Sequence, residues 1–355
     1  MKTRRSFLKR VPVSAFLLTQ AGFLASCSTN EEAENDNDSF FKTRGLIIGW
    51  EPEKMLNWPR IVYNAGLTTL GVTISGSVKT SEAWIKFVAD CKKYNIQIQH
   101  PQHAMSSLLP RDLFSGDPTM FRMNEKGERT PDFNCCTNSK KGLDIIADNA
   151  LKNARAYPST TGKYFFWMDD GGKKCNCPAD KHLSPSDQAL IVENAIIKKL
   201  RQENSMYTVA HLAYHNTIPA PSEIQPGEGI FLQFAPFERT WDYPINDPTA
   251  KRAGLDIKNA DYLTYLDQNL QIFPVETAEI LEYWLDDSLF SNWAKPAQKL
   301  PWNKEVFLSD IDTYAKRGIR NIVSFAVYID QDYLHRYKDI GFIDAYGKGL
   351  KHYKL

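Results

Sequence analysis

The chain has 355 residues, with 43 Lys and Arg against 42 Asp and Glu and a formal net charge of +1. That balance excludes the basic footprint of a nucleic-acid-binding protein, so no nucleic-acid partner is expected. Beyond its N-terminal segment the length suits one large domain, and 8 Trp with 16 Tyr supply ample stacking surface.

Residues 1–27 read as a lipoprotein signal peptide. Lys2, Arg4, Arg5, Lys9 and Arg10 make its positive start, and residues 11–24 its apolar stretch, too short for an ordinary membrane span. Leu24-Ala25-Ser26-Cys27 resembles a lipobox, the pattern at which bacterial lipoproteins are cleaved and lipidated on the Cys. The expectation is a lipid anchor at Cys27 in the bacterial cell envelope, with the outer membrane preferred. The competing reading is a plain secretory signal. Residues 28–44, rich at first in Glu, Asp and Asn, read as an acidic flexible linker. Residues 45–355 then form a single domain.

Residues 46–50 read as the first strand, followed by Glu51 and Pro52, and a helix over 55–64 is closed by Gly66. Residues 70–75 make the second strand. Ser81 caps a helix running to Tyr94, with Trp84, Phe87, Val88 and Cys91 on one face. Strand three, 96–99, leads to His100 and His103. The stretch 104–138 has no sustained periodicity, and a loop that long inside a domain is usually functional. A helix over 141–157 ends at Pro158. Strand four, 164–168, is Tyr-Phe-Phe-Trp-Met, apolar on both faces as buried parallel strands are. It stops at Asp169-Asp170-Gly171-Gly172. Ser184, Pro185 and Asp187 open the next helix as cap, first-turn proline and capping-box partner. Strands five to eight follow at 207–213, 229–234, 279–284 and 321–328, with helices at 259–269, 304–317 and 343–353.

Eight strands alternating with helices predict an α/β fold, a single-domain (β/α)8 TIM barrel. An open doubly wound sheet would want a glycine-rich phosphate loop after strand one, and Gly49-Trp50-Glu51-Pro52 is not one.

The C-terminal strand ends of such a barrel share one face, where chemistry is built. That face gathers Trp50, His100, His103, Asp169, Asp170, Tyr214, His215, Glu238, Arg239, Glu282, Trp284, Tyr328 and Asp330. Several carboxylates among aromatic rings suit carbohydrate chemistry, since rings stack on sugars and paired carboxylates act as acid and base or nucleophile. Asp170 is the expected general acid, with Asp169 beside it raising its proton affinity. Glu282 is the expected second carboxylate, in the apolar setting of Tyr283 and Trp284. The rest of the group is expected to contact substrate. The plainer readings are that an Asp after a strand caps the next helix and that Glu282 pairs with Arg239. No cofactor or metal is assigned. Cys175 and Cys177, with Asp180 and His182 nearby, lack standard zinc-pair spacing. A disulfide to Cys135 or Cys136, a metal and free thiols all stay open.

At these residues the chain resembles the uncharacterised glycoside-hydrolase-like barrels found beside α-glucuronidase-type N-terminal domains in bacterial carbohydrate-utilisation lipoproteins. Pro118-Thr119-Met120-Phe121, Gly127-Glu128-Arg129 and Cys136-Thr137-Asn138 are similar to that family's insertion after strand three. Asp170 with Cys175 and Cys177 matches its aspartate and Cys-x-Cys-x-x-Cys loop, except that Asp180 replaces the third cysteine. Leu212-Ala213-Tyr214, Pro236-Phe237-Glu238-Arg239, Glu282-Tyr283-Trp284 and Ser288-Leu289-Phe290 carry the resemblance to later loops. It implies a TIM barrel and a glycosidase acting on a complex glycan. The alternative is a surface glycan-binding lipoprotein whose barrel has lost turnover.

Overall fold

Strand and helix alternate along the chain in the computed structural model, which describes residues 39–73 and 78–355. Its strands are β1 (Thr43–Ile48), β2 (Thr69–Val72), β3 (Gln97–Gln99), β4 (Gln102–His103), β5 (Lys163–Tyr164), β6 (Phe166–Trp167), β7 (Thr208–Ala213), β8 (Ile230–Phe234), β9 (Glu279–Glu282) and β10 (Asn321–Phe325). One eight-stranded sheet runs in the order β3-β2-β1-β10-β9-β8-β7-β5, and its ladders are parallel. β3 and β4 are two parts of the third barrel strand, interrupted at Pro101, which has no N–H to give a ladder. β5 and β6 are likewise two parts of the fourth. A short parallel ladder, with Gln102 opposite Phe166 and His103 opposite Trp167, joins the sheet's two edges. Eight barrel strands thereby close into a (β/α)8 barrel.

The helices start where local chemistry lets them. α1 (Trp58–Asn64) begins three residues later than the apolar pattern suggests, because Asn57 caps it and Pro59 fits only a first turn. α2 (Glu82–Lys93) is capped by Ser81, and α4 (Lys140–Ala156) by Ser139. α5 (Pro185–Arg201) has the expected capping box of Ser184 and Asp187. α6 (Asp261–Asn269), α8 (Lys304–Ala315) and α10 (Gly341–Lys351) follow the predicted helices closely. α10 abuts α1 at Gly347, where an added Cβ would lie 2.1 Å from the Ala65 carbonyl oxygen. Three short helices escape the periodicity: α3 (Met105–Leu108), α7 (Asp287–Phe290) and α9 (Gln331–Tyr337). β10 ends at Phe325, three residues short of predicted strand eight, and α9 follows with Asp330 as its cap. The end of predicted strand two, residues 74–75, lies outside the described residues, as does Cys27 with the whole signal segment.

The domain begins earlier than expected. Phe41 is fully buried, and Phe40 and Phe41 sit 5.5 and 5.2 Å from the Tyr353 ring. Arg44 donates to the Phe41 carbonyl, so 39–44 belong to the barrel and the linker is correspondingly shorter.

A charged cluster is sealed between β9 and α8. The Arg239 guanidinium donates to Glu282 Oε1 at 2.8 Å and to Asp310 Oδ2 at 2.7 Å, with all three side chains fully buried. Tyr314 and Trp241 complete the Glu282 shell, and Trp284 Nε1 and the Ile245 N–H complete that of Asp310. Buried ion pairs add little over apolar residues when whole, but removing one partner leaves uncompensated charge. Arg239→Met should therefore destabilise the protein by about 3–5 kcal/mol in urea unfolding, and a loss under about 1 kcal/mol would show the carboxyls to be neutral.

Candidate active site

Side chains alternate along a strand, so each barrel strand offers one set to the interior and one to the helix layer. In β7 and the residue after it, Leu212 and Tyr214 face a cleft of about 380 Å³ at the C-terminal strand ends. His211 points the other way, its Nδ1 at 2.8 Å from Glu193 Oε2 on α5. In β9 and beyond, Leu281 and Tyr283 line the same cleft, while Glu282 and Trp284 face α8. Glu282 is therefore a structural anion. Its four hydrogen-bond donors are Arg239, Trp241, Tyr314 and its neighbour's N–H. Neither it nor Arg239 nor Trp284 borders the cleft, so the expectation that they form the site is corrected, by strand parity for Glu282 and Trp284 and by its ion pairs with Glu282 and Asp310 for Arg239.

Interior side chains below the cleft form a polar chain. Trp167 Nε1 donates to Gln233, Gln233 donates to Glu279, and Lys163 lies 3.4 Å from Glu279. This holds Trp167 still, and its ring is part of the cleft wall. His103 also borders the cleft, its ring 5.3 Å from Trp167 and its Nδ1 at 2.5 Å from the Met168 carbonyl.

The two aspartates after β6 divide their tasks. Asp169 forms an ion pair with Arg111 and exchanges two hydrogen bonds with Asn134, so it pins the 104–138 insertion to the barrel. It is not the catalytic partner of Asp170. Asp170 is exposed in the cleft and accepts a hydrogen bond from Tyr214 Oη at 3.1 Å. Gly171 takes a positive φ of 69°, which lets the chain turn immediately after it. Burial, and then the charge of Asp170, push the Tyr214 phenol up, so it stays a donor.

The second cleft carboxylate is Asp286, four residues past β9's end. It caps α7, accepting from the Ser288 N–H and hydroxyl, and it borders the cleft. Burial pushes its carboxyl up to about 6, against the pull of those hydrogen bonds. Phe237 and the exposed Trp293 complete the aromatic wall, with Phe237 5.1 Å from Tyr283 and 5.4 Å from Tyr214. Asp286, Phe237 and Trp293 were not among the site residues expected from the sequence.

His215 borders the cleft too. Its Nδ1 lies 2.9 Å from Glu238 Oε1, and its backbone sits at φ 48°, a conformation that a non-glycine residue holds only when its surroundings impose it. The remaining expected residues lie off the cleft. Trp50 packs edge-on against Trp84 and Phe87, and His100 is half-buried beside Trp84, its imidazole pushed down to about 4 by desolvation. Tyr328 lies under the Lys295 ammonium, and Asp330 pairs with Lys295 at 3.0 Å.

Fold and cleft together define a (β/α)8-barrel protein with two carboxyls and an aromatic wall at the C-terminal strand ends of the barrel. The chain belongs to the family described as domain of unknown function DUF4838, matched over residues 27–333. The sequence matches no curated protein. Among solved structures it is similar to a β-galactosidase from the psychrophilic Marinomonas ef1, at 11% identity and a TM-score of 0.49, over 86% of this chain and 58% of that one. It therefore spans less than two thirds of that enzyme. It is also similar to GH20 catalytic modules of the pneumococcal exo-β-D-N-acetylglucosaminidase StrH, at 8% identity and TM-score 0.45, over 89% of this chain and 85% of that one. A GH5-4 broad-specificity endoglucanase from an uncultured bacterium matches at 12% identity and TM-score 0.41, over 85% of both chains. Similarity at this level reaches no individual side chain.

Asp287, beside Asp286, is fully buried, and among the described residues neither of its carboxyl oxygens has a hydrogen-bond partner. Burial, then the neighbouring Asp286 charge, push it up to about 7. The folded state thus holds protons that the unfolded chain has already released between about pH 4 and 7, so stability falls as pH rises through that window. Asp287→Asn should raise the melting temperature relative to the parent at pH 8, with the difference shrinking towards zero below pH 5. Thermal scans across that range check the sign.

Proposed function

We propose that this protein is a glycoside hydrolase acting on a complex glycan through the Asp170–Asp286 carboxyl pair. The observation that carries the reading is one cleft bordered by an exposed carboxylate and a largely buried one, between aromatic rings. A carboxyl pushed up by burial keeps its proton and can serve as an acid. Asp286, up at about 6, is the proton donor to the glycosidic oxygen. Asp170, exposed and held by Tyr214, is the carboxylate that acts at the anomeric carbon, directly or through water. Tyr214, Phe237, Tyr283 and Trp293 offer rings to the sugar. The resemblance to barrels related to the α-glucuronidases agrees with this and makes uronic-acid-bearing glycans the first substrates to try. Cys27 is the proposed lipid anchor, holding the domain at the bacterial cell envelope.

Purified protein tested against nitrophenyl glycosides and polysaccharides should hydrolyse at least one. Asp170→Asn and Asp286→Asn should each lower turnover by roughly 10²–10⁴-fold, while ligand affinity measured by calorimetry persists. Because the acid must carry its proton, kcat/KM should fall as pH rises through about 6. Trp293→Ala should weaken binding more than it slows bound substrate. A protein that binds glycans through Trp293 and never hydrolyses them would replace the enzyme by the non-catalytic surface binder. Equal rates for parent and both Asn variants would remove the pair from the mechanism.

The anchor is tested separately. Cys27→Ala should move the protein from the membrane fraction to the soluble one, and a variant still on membranes would refute lipidation at this residue.

A further inference from the structure

Under the loop that carries Asp170 lies a second chemical cluster, apart from the cleft. Cys136, Cys175, Cys177 and Asp180 are all buried, and their ligand atoms lie within 4.8 Å of one another. Cys136 comes from the insertion, just ahead of α4, and the other three from the turn between β6 and α5. Cys136 Sγ is 3.8 Å from Cys177 Sγ and 3.5 Å from Asp180 Oδ2.

These spacings have a chemical meaning. Zinc–sulfur bonds of about 2.3 Å and a zinc–carboxylate bond of about 2.0 Å, held tetrahedrally, set edges of about 3.8 Å between sulfurs and about 3.5 Å between sulfur and oxygen. A disulfide would need the sulfurs at about 2.05 Å. Hydrogen-bond donors converge on the cluster from outside it. The Met123 N–H points at Cys175 Sγ from 3.3 Å, and Arg129 Nη1 from 3.8 Å. The Asn138 N–H donates to Asp180 Oδ2 at 3.3 Å. Donors of this kind outside a metal's ligands orient them and offset their charge. The backbone of the turn is clamped by Gln188 of α5, which donates to the Cys175 and Asp180 carbonyls and accepts from the Cys175 N–H. Cys175 and Asp180 are thus held by groups that do not themselves bind metal.

We infer that Cys136, Cys175, Cys177 and Asp180 form a structural zinc site. With four protein ligands it leaves no open position, so the ion's task is to hold and not to react. On binding, three thiols release their protons and Asp180 binds as the carboxylate. The ion ties the insertion to the turn five residues past Asp170, across 41 residues of chain between Cys136 and Cys177. Asp169 makes the same tie from the other side of Asp170, through Arg111 and Asn134.

The test uses full-length protein purified without chelator. Elemental analysis should find one zinc per chain, and cobalt exchanged into the site should show the thiolate charge-transfer and d–d bands of a tetrahedral ion. Stripping with dipicolinate should lower the melting temperature of the parent, and added zinc should restore it. Cys177→Ser should lose the ion. Asp180→Cys should keep it and strengthen the cobalt–thiolate band, which separates loss of a ligand from loss of the fold. Parent protein that neither contains zinc nor gains stability when zinc is added would overturn the site. So would a disulfide from Cys136 to Cys175 or Cys177 in non-reducing peptide maps.

Discussion

The alternation of side chains along a parallel strand governs this protein, because the two faces of its barrel are different solvents. One face opens on a hydrated cleft; the other meets a layer of helices. A carboxylate sent to the second face must be matched there, and Glu282 is, by Arg239 and three further donors. One sent past the end of a strand escapes the rule, and Asp170 and Asp286 are both of that kind. The chemistry of the cleft is carried by residues just outside the regular ladder. Rigidity is carried by those inside it.

Rigidity reaches the cleft from below and from the side. The chain of contacts from Lys163 through Glu279 and Gln233 to Trp167 fixes one wall ring without any group from the cleft itself. Asp169 holds the insertion while its neighbour Asp170 stays exposed in the cleft, bonded to Tyr214. Two adjacent carboxylates with the same local sequence thus differ wholly in environment. Electrostatic preorganisation of this sort needs groups whose positions are set before the ligand arrives.

The barrel was almost entirely legible in the sequence, because period-two and period-3.6 patterns and the caps at Ser81 and Ser184 mark its elements. The site was legible in half. His103, Asp170, Tyr214 and His215 follow the ends of predicted strands, and all four border the cleft. Glu282 and Trp284 misled because 279–284 is buried on both faces. Such a strand shows no polar and apolar alternation from which its inner face can be read. Asp286 sits at the start of α7, whose four residues are too few for a helical period. Trp293 belongs to an irregular turn, where no periodicity exists to mark it.

The closure of the barrel rests on the two-residue ladder between β4 and β6, as short as the ladders that join β5 to β7 and β8 to β9. The insertion leaves the chain at one lip of that seam, and the Asp170 turn leaves at the other. The segment 104–138 is thereby a rivet across the joint and not an ornament on a finished barrel. Anyone wishing to transplant the cleft onto another scaffold would have to carry the insertion and the Asp170 turn together, as a single cassette. Exchanging either alone between relatives would part the wall at this seam.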